Sequence, residues 1–335
     1  MKRVLMMVTV LITLIVLPFP VQAANLTVAG KSSLLMDVAT GTVLQESNAH
    51  EKLAPASVTK VMTMLLIMEA VDSGKIAMTD TVTASETAAA KGGSQIYLKA
   101  GETMSVTDML KSIAVSSAND CACAMAEHIA GSEEAFVAQM NQKAGELGMK
   151  DTTFVNCTFG LSNTNKLVRF YQGATGLKTG FTSGAGYCLS ATAQRDGMEL
   201  IAVVMGADTS ASRNAACKQL LDYGFANYAV ISPELPEPEP VAVKLGKADS
   251  VTAVLGEREE ILIDKAQKSA VSMELSVEES VTAPVSQGQR VGTLTVKAGD
   301  QVLKEVPLVA AEGVERLSFG DLFGKVLRRA AMSKV

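Results

Sequence analysis

Pro55-Ala56-Ser57-Val58-Thr59-Lys60 opens a long apolar run that closes at Ser73-Gly74. Proline suits a first helical turn and glycine a C-terminal stop, so a helix is predicted from near Pro55 to about Ser73. Ser57 then lies in the first turn, and Lys60, three residues on, shares its face. A serine hydroxyl is a poor nucleophile until a base takes its proton. A lysine amine can be that base when burial or another cation lowers its pKa. The helix N-terminus also favours negative charge developing beside it. Ser-x-x-Lys is a weak signal by itself, but this chain holds one copy, at a helix start.

Two further segments extend the pattern. Ser117-Ala118-Asn119 lies between helical stretches predicted over Val106 to Val115 and Asp120 to Ala130. Asn119 can hold a peptide group, and Ser117 can relay a proton between Lys60 and a leaving amine. A helix N-cap is the bland alternative, and Ser212-Arg213-Asn214 has the same form. Lys178-Thr179-Gly180 stands at the start of a predicted strand. Lys and Thr on an edge strand can bind a carboxylate, and Gly180 permits close backbone approach. A substrate could add there as a further strand.

The ordered set Ser-x-x-Lys, Ser-x-Asn, Lys-Thr-Gly is the signature of penicillin-recognising serine enzymes. With it, the chain resembles the serine-type D-Ala-D-Ala carboxypeptidases, the low-molecular-mass penicillin-binding proteins of peptidase family S11. Leu34 to Gly41, Asn48 to Lys52, Gly93-Ser94, Ser117 to Asp120 and Leu147 to Met149 are also similar to that family. The resemblance implies an α/β (α+β) catalytic domain of the β-lactamase/transpeptidase type, followed by a small all-β sandwich domain. It implies Ser57 as nucleophile, Lys60 as general base and Ser117 in the proton relay. Asn119, Lys178, Thr179, Gly180 and Phe181 would bind substrate, with the Ser57 and Phe181 N–H groups as oxyanion hole. Peptidoglycan stem peptides ending in D-Ala-D-Ala would be the substrates and β-lactam antibiotics the inhibitors. No metal or cofactor is implied. A β-lactamase-like hydrolase shares the acylation chemistry, and a catalytically impaired cell-wall-binding paralogue is the non-enzymatic alternative.

One departure stands out. Family members carry a longer segment after a stretch like Thr153-Phe154-Val155-Asn156. Here Asn156 runs through Cys157 and Thr158 directly into Phe159 to Leu167, so the chain is shortened near 156–165.

Residues 1–23 read as a signal peptide: Lys2 and Arg3, an apolar run from Val4 to Leu17, then Val21-Gln22-Ala23. The uncharged run is shorter than a membrane span requires. Export follows, with the enzyme on the outer face of the cytoplasmic membrane. The catalytic domain is expected over 24–230, with a hairpin over Lys31 to Leu44 and a helix over Glu133 to Leu147. Strands over Tyr187 to Ala193 and Glu199 to Val204 join at Arg195-Asp196-Gly197, and a helix spans Ala211 to Tyr228. Residues 231–240, proline-rich and acidic, form an extended linker. The β-domain covers 241–315. Residues 316–335 form an amphipathic helix, with Leu322, Phe323, Val326, Leu327 and Ala330 on one face and a basic surround, suited to an anionic membrane surface.

Composition narrows the rest. Of 335 residues, 48% are hydrophobic, enough for a full core. The net charge of −5 speaks against nucleic acid as partner. Two histidines, His50 and His128, leave little room for a histidine triad or metal site. The five cysteines lack framework spacing, and Cys121 and Cys123 read as small buried residues. A site built from Cys121, Cys123 and His128 would lack ligands.

Overall fold

The computed structural model describes residues 26–156, 170–235, 239–256 and 259–324. The signal segment, Cys157 and most of the shortened stretch lie outside these residues, as does the tail beyond 324.

A five-stranded sheet in the order β2-β1-β7-β6-β5 forms the centre. Its strands are β1 (Ser32–Asp37), β2 (Val43–Ser47), β5 (Ala174–Thr182), β6 (Gly186–Arg195) and β7 (Met198–Ala207). The first two are joined by a tight turn in which Asp37 Oδ2 accepts the Thr40 N–H at 2.9 Å. In β7, Leu200, Ala202 and Val204 are buried and their neighbours half-buried, the period of a pleated strand. Asp196 and Gly197 both have positive φ and close the β6–β7 hairpin, as the Asp-Gly dipeptide predicts. Helix α6 (Ser210–Asn227) lays Leu220 and Leu221 on this sheet beside Leu35 and Leu200.

A second core is helical. It gathers α1 (Lys60–Asp72), α3 (Val106–Val115), α4 (Asn119–Ala130) and α5 (Glu133–Glu146). Small elements β3 (Thr81–Thr83), α2 (Glu86–Ala89) and β4 (Thr103–Ser105) pack alongside. Cys121 to Ala126 are all buried, so α4 is enclosed nearly all round, and its small side chains admit close neighbours. Phe136, Met140, Ile67, Met109 and Ile113 fill the space around it.

The C-terminal part is all β. Its six-stranded sheet runs β12-β14-β15-β10-β9-β13. The strands are β9 (Glu239–Lys244), β10 (Ser250–Leu255), β12 (Val271–Val277), β13 (Ser280–Thr282), β14 (Arg290–Ala298) and β15 (Gln301–Ala310). Strand β11 (Ile261–Asp264) pairs instead with β8 (Tyr228–Ile231), directly after α6.

The structure corrects three local expectations. Ser57 stands in a 3-10 turn (Ala56–Thr59) ahead of α1, not in an α-helical turn. The Val58 N–H donates to Pro55 O at 3.1 Å, the tighter bonding common at helix starts. Lys178-Thr179-Gly180 occupies the middle of β5, because pairing with β6 already begins at Ala174. Ile231, at one end of the expected linker, belongs to a strand, as do Glu239 and Pro240 at the other. At the other end, Arg316 bridges to Gly246 and a short helix covers 319–324.

Candidate active site

Ser57, Lys60, Ser117, Asn119, Lys178 and Thr179 converge and are all buried. Five stretches place them: the 3-10 turn, the start of α1, the α3–α4 connection, the start of α4 and the edge strand β5. Ser57 Oγ accepts hydrogen bonds from Lys60 Nζ at 3.4 Å and from Ser117 Oγ at 3.0 Å. Lys60 Nζ also donates to Asn119 Oδ1 at 2.7 Å. One hydroxyl therefore sits between an amine and a second hydroxyl, the arrangement a proton relay requires.

The backbone is strained where it delivers these groups. Ala56, directly before Ser57, has φ 48°, and Ser117 has φ 56°. Left-handed conformations in non-glycine residues cost roughly 1–2 kcal/mol each, and they persist where the surroundings hold them. At Ser117 that conformation lets the chain turn sharply from α3 into α4. Asn119 begins α4, and its own polar groups reach outward. Its N–H donates to Ser94 O at 2.7 Å and Nδ2 to Gly92 O at 2.6 Å.

Gly180 explains how strand and turn meet. A Cβ there would lie 2.7 Å from Pro55 O and 2.9 Å from Ser57 N. Only glycine permits this approach, which sets the β5 backbone against the Ser57 amide. Phe181 follows, its ring 4.3 Å from that of its cross-strand partner Tyr187.

The charge in the site is one-signed. Lys178 Nζ donates to Thr179 O at 2.8 Å. Burial first, then the neighbouring Lys60 and Arg213 cations, push its pKa down to about 7. Arg213 is 1% exposed. Its Nη2 donates to Ser210 Oγ at 3.1 Å and to Asn214 Oδ1 at 3.0 Å. Sequence alone does not single out this residue, since Ser212-Arg213-Asn214 merely has the form of a second Ser-x-Asn. Ser212 caps α6 together with Thr209, while the central arginine turns inward under Tyr187. The signal available was an arginine in the first turn of a helix packed on the sheet. Three buried basic side chains near Ser57 suit an anionic ligand group.

The thiols stand apart from this chemistry. Cys121, Cys123, Cys188 and Cys217 are free and buried. Burial pushes Cys121, Cys123 and Cys217 up to about 12. No cluster of metal-ligating side chains occurs among the described residues.

The family model for D-alanyl-D-alanine carboxypeptidase, peptidase S11, matches residues 19–168 and 158–209, and that for the penicillin-binding protein 5 C-terminal domain matches 235–316. The D-alanyl-D-alanine carboxypeptidase DacF of Bacillus subtilis is 40% identical, covering 95% of this chain and 96% of its own. Its aligned length of 377 exceeds the 335 residues of this chain. Penicillin-binding protein 5 from Haemophilus influenzae superposes with a TM-score of 0.70 at 28% identity, covering 87% of this chain and 99% of that one. Penicillin-binding protein D2 from Listeria monocytogenes, solved in an ampicillin-bound form, matches 60% of this chain and 99% of its own at 28% identity and a TM-score of 0.54. By motif, by fold and by similarity along nearly its whole length, the chain belongs to the peptidase S11 family of D-alanyl-D-alanine carboxypeptidases.

Proposed function

We propose that this protein is a serine-type DD-carboxypeptidase that removes the terminal D-Ala from peptidoglycan stem peptides. The observation that carries the reading is the single hydrogen-bonded group of Ser57, Lys60, Ser117 and Asn119 against the Lys178-Thr179-Gly180 strand. Ser57 Oγ passes its proton to the Lys60 amine and attacks the carbonyl of the penultimate D-Ala. The developing oxyanion is held by the Ser57 and Phe181 N–H groups. As the tetrahedral intermediate collapses, the C–N bond breaks and the proton reaches the departing D-Ala nitrogen through Ser117. Water, deprotonated by the same lysine, then hydrolyses the Ser57 ester. Lys178, Thr179 and the nearby Arg213 charge receive the terminal carboxylate, and β-lactams acylate Ser57 by the same route.

Several features support a shortened helical region near 156–165. The family model matches in two overlapping pieces that meet at 158–168. The alignment to the Bacillus relative is longer than this chain. Reduced turnover is the expected consequence of that shortening. The protein acts outside the cytoplasm after removal of residues 1–23. The apolar side chains of Phe319, Leu322 and Phe323 are exposed on the 319–324 helix, which favours contact of the tail with an anionic membrane surface.

Labelling with a fluorescent penicillin tests the reading. Label on the wild type that vanishes in Ser57→Ala, with D-Ala released from a D-Ala-D-Ala peptide, is expected. An unlabelled wild type would sink the enzymatic reading. Rapid penicillin turnover in place of a long-lived acyl-enzyme would move it to a β-lactamase-like hydrolase. Peptide turnover matching that of full-length relatives would refute the expected impairment.

A further inference from the structure

Asp120 directly follows the Ser-x-Asn segment, and the mechanism above makes no use of it. It is fully buried. A buried carboxylate is costly unless its oxygens are satisfied. The donors it meets are backbone N–H groups. Oδ2 accepts from Ile96 at 3.1 Å and from Leu98 at 3.0 Å, and Oδ1 accepts from its neighbour Cys121 at 3.0 Å. Its place in the first turn of α4 adds the favourable end of the helix dipole.

Ile96 and Leu98 are two apart, so both amides face one carboxylate and the residue between them is turned out. That residue is Tyr97, 77% exposed, with φ 65°. A bulky side chain in the left-handed region is an outlier that something must hold. The loop is also bound upstream through Asn119, which meets Gly92 O and Ser94 O. Consecutive residues of α4 thus grip one loop along 92–98. The same Asn119 side chain accepts the Lys60 hydrogen bond. Slack in the loop reaches the base through a single side chain.

We infer that Asp120 is a positioning residue: it clamps the 92–98 loop through the Ile96 and Leu98 amides and thereby keeps Asn119 and Lys60 in register with Ser57. The inference rests on Ser57 being the acylated serine. Asp120→Ala removes both acceptor oxygens, and with them the bonds to the Ile96 and Leu98 amides. Tyr97 then leaves the left-handed region and the loop loosens. Replacing Tyr97 with glycine removes the conformational penalty the clamp opposes.

The test is the second-order rate constant for acylation by a fluorescent penicillin, measured on intact protein well below its melting midpoint. Asp120→Ala is expected to acylate about tenfold more slowly, and Asp120→Ala with Tyr97→Gly to recover most of that loss. Tyr97→Gly alone is expected to keep the wild-type rate and to raise the melting midpoint. A wild-type rate in Asp120→Ala overturns the inference, as does failure of Tyr97→Gly to restore the double variant. If Asp120→Ala does not fold, the decision passes to Tyr97→Gly alone: a lowered midpoint would mean that the clamp is not what holds Tyr97. An unlabelled wild type would instead sink the assignment of Ser57, which keeps the two failures apart.

Discussion

At the scale of single residues, two positions give sharp expectations. Gly180 has no room for a side chain, and its two nearest atoms are backbone atoms of the turn that carries Ser57. Gly180→Ala must push β5 and the 3-10 turn apart. Overpacking of this kind costs about 1–3 kcal/mol. The displaced atoms include Ser57 N, so acylation should fall at least tenfold, beyond any loss in melting midpoint. A penicillin acylation rate near wild type would show that the close approach is not needed. Lys178 concerns charge. With its pKa at about 7, the ligand-free amine is half neutral near neutral pH. A bound carboxylate favours the cation and raises that pKa. Below pH 7 the amine is already protonated. Above it, binding must draw a proton from solvent, so affinity for a carboxylate ligand should weaken as pH rises through about 7. Calorimetric titration with a peptide ending in D-Ala-D-Ala, on Ser57→Ala and in buffers of differing ionisation enthalpy, should show net proton uptake at pH 8 and little at pH 6.

At the scale of elements, the sequence was readable where period and punctuation agree. The Asp196-Gly197 turn, the alternation in β7 and the α5 helix all appear where local chemistry puts them. The three motif segments also converge, although 118 residues separate Lys60 from Lys178 in the chain. What stayed hidden depends on tertiary contact. Strand β5 meets the 3-10 turn at Gly180, and no local pattern records that approach. Arg213 looked like one more polar helix residue, because its burial comes from the sheet. Helix α4 gives its own expectation. Ala122 and Ala124 are buried between neighbouring helices, so Ala124→Leu should cost about 1–3 kcal/mol through overpacking. Because Asn119 begins this helix, the acylation rate should fall with stability, whereas an exposed substitution such as Lys111→Ala on α3 should leave both unchanged. Chemical denaturation and labelling on the same samples separate the two variants.

At the scale of the whole molecule, the question is how the two domains depend on each other. A proline-rich stretch suggests independent bodies on a tether. The strand pairing says otherwise. Directly after α6 the chain enters β8, whose partner is β11 of the C-terminal domain, with Ile231 opposite Ile261 and Tyr228 opposite Asp264. Ile261, Ile263 and Val296 form a small core to which Ala229 and Ile231 add. Lys265 Nζ donates to Phe225 O at the end of α6, at 2.9 Å. Truncation after Leu235 would leave β8 without its partner and this apolar cluster open. The catalytic part would still hold its own cores around Leu200 and Met125. In the Listeria protein, 99% of the chain is matched by 60% of this one. The truncated protein is therefore expected to fold, to melt several degrees lower, and to acylate Ser57 at the wild-type rate per folded molecule. The site lies on the 3-10 turn, the start of α1, the α3–α4 connection, the start of α4, β5 and, through Arg213, the beginning of α6, none of which pairs with β8 or β11. Thermal melts and penicillin labelling of the two lengths decide it. Equal midpoints would mean that β8–β11 pairing adds nothing to the catalytic domain. A lost acylation rate would mean that the C-terminal domain reaches the site through a route the strand pairing does not contain.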